Sequence, residues 1–437
     1  MNQGIKVAVL DDGIFQGKYC LPSLQWNIKM QNGILEDPYQ SSQPHRVTSH
    51  GTVCAAIIHH YAPQVQLSSV KVIFGEQRTG NPDDLIAGID WCLTHQMDLV
   101  HLSIGTVESR DFPKLGRKIH EAVKRGLVFV AAQSNTRRYT YPACLADVIG
   151  VRQRPIYHGS QYRMNLDALN GVEILASSAH ALPLMDGGVQ KTPICNSFAA
   201  PLITAKAANL MAKSKCSLSK EALCLLLSQE EDCLARAPYD PYFQAINYDY
   251  PIQQVDVLSP SQCDEVEKHG EKAYFVFTKA LTEQQRERMC RLKKRYFDPG
   301  EYEKRFLRKR TEGKTEIPMI SFATGNLEKD QQLAERMERA VYDQSYYPAV
   351  LSPYPQDSGR GWFYCPPGSD GYPAACTIAK ELRPDILILC SSAEPRADIR
   401  VRRQKDSFVV ISEEGEYACT DIQQVMRTVC GLVFEDE

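Results

Sequence analysis

Four polar side chains of this 437-residue chain stand where apolar runs begin or end. Asp11 closes the run in "VAVLDDGI", and His50 precedes one in "TSHGTVCAAII". Asn135 ends "VFVAAQSN", and Ser197 opens the Ala-rich run in "TPICNSFAAPLITAKAANLM" (192–211). A hydroxyl is a poor nucleophile until a base takes its proton, and an imidazole is the usual base near neutral pH. Each of the four also has a plain structural reading. The serine reads as a helix N-cap, the aspartate and asparagine as cap or turn formers, and the histidine as a satisfied structural residue. Only a fold that gathers them at one edge favours chemistry.

Such a fold is legible. From residue 5 to about 212, "KVAVLDDG", "VQLSSVKVI", "MDLVHLSIG" and "GLVFVAAQSN" are β-branched or apolar runs of strand length. Between the last three lie "DDLIAGIDWCLTHQ" and "DFPKLGRKIHEAVKRG", with apolar residues at helical spacing. This alternation predicts an α/β fold, a parallel sheet with helices on both faces. Ligands of such sheets sit beyond the carboxyl ends of the strands. The run after Ser197 reads as a buried helix, with Pro201 tolerated near its first turn.

Three segments are expected: 1–234 with this sheet, 235–315 as linker and charged helix, and 316–437 as a smaller α/β domain. The stretch 235–260, rich in Tyr and Pro, reads as a linker or wrapping arm. Residues 281–310 read as one strongly charged helix opened by a Thr282/Gln285 capping box. Its basic side chains could meet an acidic partner or nucleic acid, but interspersed Glu favours a solvated face. In the tail, "IPMISFATG", "YPAVLSP", "PDILILCSS" and "SFVVISEEG" read as strands, and "LEKDQQLAERMERAVYDQ" and "YPAACTIAKELRP" as helices. "ATGNLEKDQ" lies between strand and helix, yet it lacks the phosphate-loop lysine and the three-glycine dinucleotide pattern, so the domain reads as non-catalytic.

A net charge of -3 gives no reason to expect nucleic acid or an anionic membrane as partner. No apolar run approaches the roughly 20 residues of a membrane span. Fifteen scattered cysteines without a CxxC pair argue against a zinc site or a disulfide framework and suit a reducing cytoplasm. No metal or other cofactor is expected, and no acidic loop with calcium-ligand spacing is legible.

Together the fragments resemble the subtilisin-like serine peptidases, the subtilases. "VAVLDDG" is similar to that family's aspartate block, "SHGTVCAAI" to its histidine block and "CNSFAAPLITAKAANLM" to its serine block, in the family's order. "AGIDWCLTHQMDLVHLSIGT" (87–106) and "YPACLADVIGV" (141–151) extend the likeness, which covers about residues 4–215. The resemblance implies that Ser197 attacks, His50 takes its proton and Asp11 holds the imidazole. Asn135 and the Ser197 N–H would then receive the oxyanion. It also implies a peptide substrate extended along Ser103, Ile104 and Gly105, faced by the loop "GEQRTG" (75–80) with Arg78, Thr79 and Gly80. Glu76 and the basic Arg78, Arg137 and Arg138 fall near the pockets with opposite signs and set no charge preference.

The chain departs from the family pattern at several positions. Cys195-Asn196-Ser197 replaces Gly-Thr-Ser, which questions the local backbone. Val53 and Ala56 replace a histidine and a glycine. Thr140 takes a glycine's place in the first pocket wall and makes it shallower. Cys54 falls where some relatives carry a thiol beneath the histidine, so bulky thiol reagents should inhibit. The family block begins near Met1 with no prosegment or signal layout, which suits an intracellular enzyme. The likeness extends by analogy to subtilases that remove the leader of a ribosomally made precursor peptide. A general intracellular peptidase and a catalytically silent peptide-binding scaffold remain alternatives.

Overall fold

The computed structural model describes residues 4–32, 34–36, 49–75, 79–107, 111–136, 138–166, 171–214, 217–234, 239–244, 255–269, 274–304, 315–353, 361–365 and 371–434. The chain forms two compact units, Met1–Pro241 and Tyr242–Glu437.

The first unit runs β1 (Lys6–Asp11), β2 (Trp26–Gln31), β3 (Ile34–Glu36), α1 (His50–Tyr61), β4 (Gln66–Lys71), β5 (Ile73–Phe74), β6 (Thr79–Gly80), α2 (Pro82–Thr94), β7 (Leu99–Leu102) and α3 (Phe112–Lys124). It continues with β8 (Val128–Ala132), β9 (Val148–Gln153), β10 (Tyr162–Met164), β11 (Ile174–Ala176), β12 (Ala181–Pro183), β13 (Val189–Lys191), α4 (Asn196–Ser214) and α5 (Lys220–Leu227). Nine strands form one sheet in the order β10-β11-β9-β8-β7-β1-β4-β2-β3. From β11 to β2 every pairing is parallel, and only the two outer pairs are antiparallel.

The period of two along each strand decides what faces which helix. Val7 and Val9 of β1, Leu99 of β7 and Val128 and Val130 of β8 share one buried cluster with the apolar faces of α1 and α4. The same parity carries Asp11, His101 and Ser103 toward that face. On the other face α2 packs against β1 through Gly88, where a Cβ would stand 3.2 Å from Leu10 and Val72 side-chain carbons. Helices cover both faces, as the alternation of the sequence implied.

The second unit opens with β14 (Val255–Leu258), a 3-10 turn (Pro260–Lys268), β15 (Tyr274–Phe277), α6 (Glu283–Arg291), β16 (Arg295–Phe297) and α7 (Pro299–Tyr302). The segment expected as one long charged helix is therefore broken. The Thr282 capping box forms, but α6 ends at Arg291, and Arg295–Phe297 becomes a buried strand parallel to β15. The cause is local: Lys293 takes a left-handed φ of 54°, and "RYF" buries its aromatic rings in a sheet rather than along a solvated helix. Residues 235–238 and 245–254 of the expected linker lie outside the described residues, as do 305–310.

Then follow β17 (Met319–Ala323), α8 (Leu327–Asp343), β18 (Pro348–Ser352), β19 (Trp362–Tyr364), α9 (Gly371–Leu382), β20 (Ile386–Cys390), β21 (Ile399–Gln404), β22 (Ser407–Ser412), β23 (Gly415–Cys419) and α10 (Ile422–Phe434). They build a seven-stranded sheet, β19-β18-β20-β17-β21-β22-β23, parallel as far as β21 and antiparallel beyond. The loop between β17 and α8 uses its polar groups internally. Asn326 caps α8 through Lys329 N, and the buried Asp330 carboxylate accepts from Thr324 N at 2.8 Å. Among the described residues no helix is long and apolar enough to cross a membrane.

Candidate active site

Asp11 is the last residue of β1 and only 2% exposed. Its Oδ1 accepts from the next amide, Asp12 N, at 2.8 Å, and its Oδ2 lies 2.9 Å from His50 Nδ1. His50 is the first residue of α1, whose N-cap is Ser49. Asp12 pins that helix end: its Oδ2 accepts from His50 N at 3.1 Å and its Oδ1 from Gly51 N at 2.8 Å. These amides are among the first of a helix, which have no acceptor within it, so a carboxylate there satisfies donors and complements the dipole. Gly51 permits the approach. A Cβ at that position would stand 2.7 Å from Gly13 O and 3.0 Å from the Asp11 Cβ. Sequence reasoning singled out Asp11 and passed over Asp12, although two consecutive carboxylates at a strand end were a signal that one might serve the next element.

Ser197 is the second residue of α4, and the Phe198 ring that follows stacks on the His50 imidazole at 5.4 Å between centroids. The Ser197 carbonyl accepts from Ser103 Oγ at 2.7 Å, and the Cys54 thiol lies 3.6 Å from it. The expectation for Pro201 needs correction here. It is the sixth residue of α4, inside the helix, so the N–H it lacks is the one that would have met Ser197 O. Side chains take that place. Cys195 is not among the residues with positive φ, so the missing glycine leaves no strained backbone at the turn.

Asn135 follows β8. Its Oδ1 accepts from Asn196 N at 3.0 Å, which leaves the NH₂ end of the amide as the group available to donate. Asn196 reciprocates, donating Nδ2 to Ser134 O at 2.7 Å and accepting from Gln153 N at 2.9 Å. The loop after β8 and the start of α4 are thereby laced together.

Asp11, His50, Gly80, Ser103, Ile104, Gly105, Asn135, Thr140 and Ser197 all line one cavity of about 540 Å³ at the carboxyl ends of the strands. The structure thus gathers nine of the residues singled out from sequence. His50 and Ser197 both line this wall, with no hydrogen bond between their side chains. Arg78, Glu76 and Arg137 lie outside the described residues. Thr79 pairs with Phe74 in the small β5–β6 hairpin, and Gly80 with Ile73. Thr140 is 3% exposed; its hydroxyl donates to Arg138 O at 2.8 Å and accepts from Ser134 N at 3.1 Å. Gly105 is needed beside it, because a Cβ there would lie 2.6 Å from Tyr141 O and 2.8 Å from the Thr140 methyl. Behind the wall, fully buried His101 touches Ser103 Oγ and Thr204 Oγ1. Sequence reasoning missed that pair, although a histidine at an inward position of an apolar strand was visible in "DLVHLSI".

The electrostatics follow from burial and contact. Burial pushes the Asp11 carboxyl above its ordinary value, against the pull of His50. Burial also disfavours the His50 cation, but the neighbouring Cys54 and Asp11 outweigh it and hold the imidazole above its ordinary 6.5. Burial raises the Cys54 thiol too and keeps it protonated, so the charge that stabilises the imidazolium is the Asp11 carboxylate. Asp11, His50 and Cys54 bring potential ligand atoms within 4.8 Å of one another, but His50 Nδ1 is already committed to Asp11. The described cysteines are free.

The chain is similar to several known proteins. The chain is 30% identical over 162 residues to the minor extracellular protease Epr of Bacillus subtilis, covering 34% of this chain and 23% of that relative. It is 30% identical over 172 residues to the major intracellular serine protease of the same organism, covering 34% of this chain and 51% of the relative. The chain therefore spans about half or less of the length of these two. Among solved structures, the nisin leader peptidase NisP from Lactococcus lactis is similar at 15% identity and a TM-score of 0.40, covering 53% of this chain and 85% of that one. The sequence profile of the subtilase family matches residues 2–230, more than half of the 437 residues, and this chain belongs to the subtilase family.

Proposed function

We propose that the protein is a serine endopeptidase in which Ser197 is the nucleophile, His50 the general base and acid, and Asp11 the group that orients and charges the imidazole. The observation that carries this reading is the pairing of the buried Asp11 carboxylate with the half-buried His50 at the rim of a cavity that Ser197 also lines. Asp11 at Nδ1 fixes the tautomer that leaves Nε2 as the base. Ser197 Oγ then adds to the scissile carbonyl as its proton passes to Nε2, and the same proton goes on to the leaving amine. The acyl-enzyme is released by water, activated in the same way. The oxyanion is received by the Asn135 amide and the Ser197 N–H, one of the helix-start amides without an intrahelical acceptor.

The substrate is an extended peptide that pairs its main chain with residues 103–105 on one side and the β5–β6 hairpin on the other. We assign it to a ribosomally made precursor, cut to remove its leader, because an unfolded segment is what such edges accept. A fluorophosphonate probe tests the chemistry. Labelling of the wild type that disappears in Ser197→Ala is expected, and an unlabelled wild type would indicate a silent scaffold. Casein cleaved as readily as a small precursor encoded beside the protein would undo the precursor assignment and leave the endopeptidase standing.

A further inference from the structure

His101 is fully buried in β7, behind the cavity wall, with a hydroxyl at each ring nitrogen. Nδ1 lies 2.8 Å from Thr204 Oγ1 and Nε2 lies 2.9 Å from Ser103 Oγ. Each hydroxyl also has a carbonyl within reach: Ser103 Oγ is 2.7 Å from Ser197 O, and Thr204 Oγ1 is 3.1 Å from Ala200 O. Burial pushes the imidazole down to about 3, so the ring is neutral and carries a single N–H. It can donate to one hydroxyl only. The other must turn its own proton toward the ring and release its carbonyl.

Proline 201 decides which. Ala200 O keeps its helical donor, the Thr204 N–H, and loses nothing if the Thr204 hydroxyl turns away. Ser197 O has no helical donor, because residue 201 has no N–H. A half-buried carbonyl left with only the weak, 3.6 Å thiol contact of Cys54 is costly. The arrangement that satisfies every group runs in one direction, from Thr204 O–H to His101 Nδ1, from His101 Nε2–H to Ser103 Oγ, and from Ser103 O–H to Ser197 O. Aligned donors of this kind reinforce one another in a dry interior.

We propose that His101 is a positioning residue for the nucleophile: as the Nε2–H tautomer it anchors Ser103, whose hydroxyl holds the Ser197 carbonyl and with it the first turn of α4. The inference rests on the reading of Ser197 as nucleophile. Holding that carbonyl fixes the Ser197 backbone, and so the direction of both its Cβ and the adjoining N–H. The relay also ties the substrate-lining residue Ser103 to the helix that carries the nucleophile. A displacement of about 1 Å at such a group costs on the order of 10²-fold in rate.

The test compares His101→Leu, His101→Gln and Ser103→Ala in the full chain. The readouts are kcat and KM on one peptide substrate and the thermal midpoint of each variant. His101→Leu and Ser103→Ala should lower kcat by about 10–100-fold with KM within about twofold. His101→Gln can donate an amide N–H to Ser103 and accept from Thr204, so it should restore most of kcat. A leucine variant that does not fold leaves the glutamine variant and a spectroscopic readout. Nitrogen-15 NMR of histidine-labelled wild type should show a ring that is protonated at Nε2 and does not titrate from roughly pH 5 to 8. The resonance is assigned by its loss in His101→Gln. A proton at Nδ1, an unchanged kcat in His101→Leu, or a glutamine variant as impaired as the alanine variant of Ser103 overturns the proposal. Wild type without peptidase activity removes the catalytic reading and this inference with it; active wild type beside a fully active leucine variant removes this inference alone.

Discussion

Replacing Asp11 by Asn keeps the shape of the site and removes its charge. The carboxylate is 2% exposed and 2.9 Å from His50 Nδ1, so solvent screens the pair little. Two unit charges about 4 Å apart at an effective dielectric near 20 attract by about 4 kcal/mol. Losing that support for the imidazolium formed in the transition state costs about 10³-fold, at about 1.4 kcal/mol per tenfold. The asparagine can also present its NH₂ to Nδ1, which favours the tautomer protonated at Nε2 and disables the base. The two effects together bring the expected loss in kcat to on the order of 10⁴-fold, with KM little changed. A pH dependence accompanies it. In the wild type the imidazole is held above 6.5, and only its neutral form is a base, so kcat/KM should rise with pH along a limb displaced to the alkaline side of 6.5. Without the carboxylate, burial dominates and the limb should move to lower pH. Steady-state hydrolysis of a chromogenic peptide from acid to alkaline pH measures both. An asparagine variant within tenfold of wild type, or one whose limb stays in place or moves alkaline, would refute the charge-support argument.

Further outcomes follow from the same contacts. Asn135→Ala should lower kcat by about 10²–10³-fold with KM little affected, a magnitude obtained by removing one such donor from a subtilisin; single-turnover acylation checks it, and a change confined to KM would assign the asparagine to substrate binding. Gly51→Ala forces a Cβ to 2.7 Å from Gly13 O, so thermal unfolding should report a loss of about 1–3 kcal/mol together with weakened activity. Thr140→Gly removes the methyl that abuts Gly105 and should favour bulkier residues before the cleaved bond, read as kcat/KM across a peptide series. A mercurial should inactivate the enzyme through Cys54, slowly because burial keeps that thiol protonated; a rate of inactivation unchanged in Cys54→Ser would exclude it.

What the sequence determined by itself was the sheet and the places where polar groups interrupt it. Continuous burial along β1, β7 and β8, bounded by Asp11, Ser103 and Asn135, is written in runs such as "VAVLD" and "VFVAAQSN", because a strand packed on both faces must be apolar until it ends. Tertiary structure alone decided the rest. Whether Asp11 meets His50 depends on α1 docking against the end of β1, which Gly51 permits and Asp12 holds, across a separation no local pattern encodes. The described part of the charged run, 281–304, broke into helix, strand and helix because the burial of Tyr296 and Phe297 overrode local helix preference. His101 became meaningful only when α4 brought Thr204 to one of its nitrogens and a proline-freed carbonyl to the Ser103 hydroxyl that bonds the other. Periodicity records which face a residue takes. Which groups meet on that face is set by how distant segments pack, and hydrogen bonds between them leave little trace in spacing.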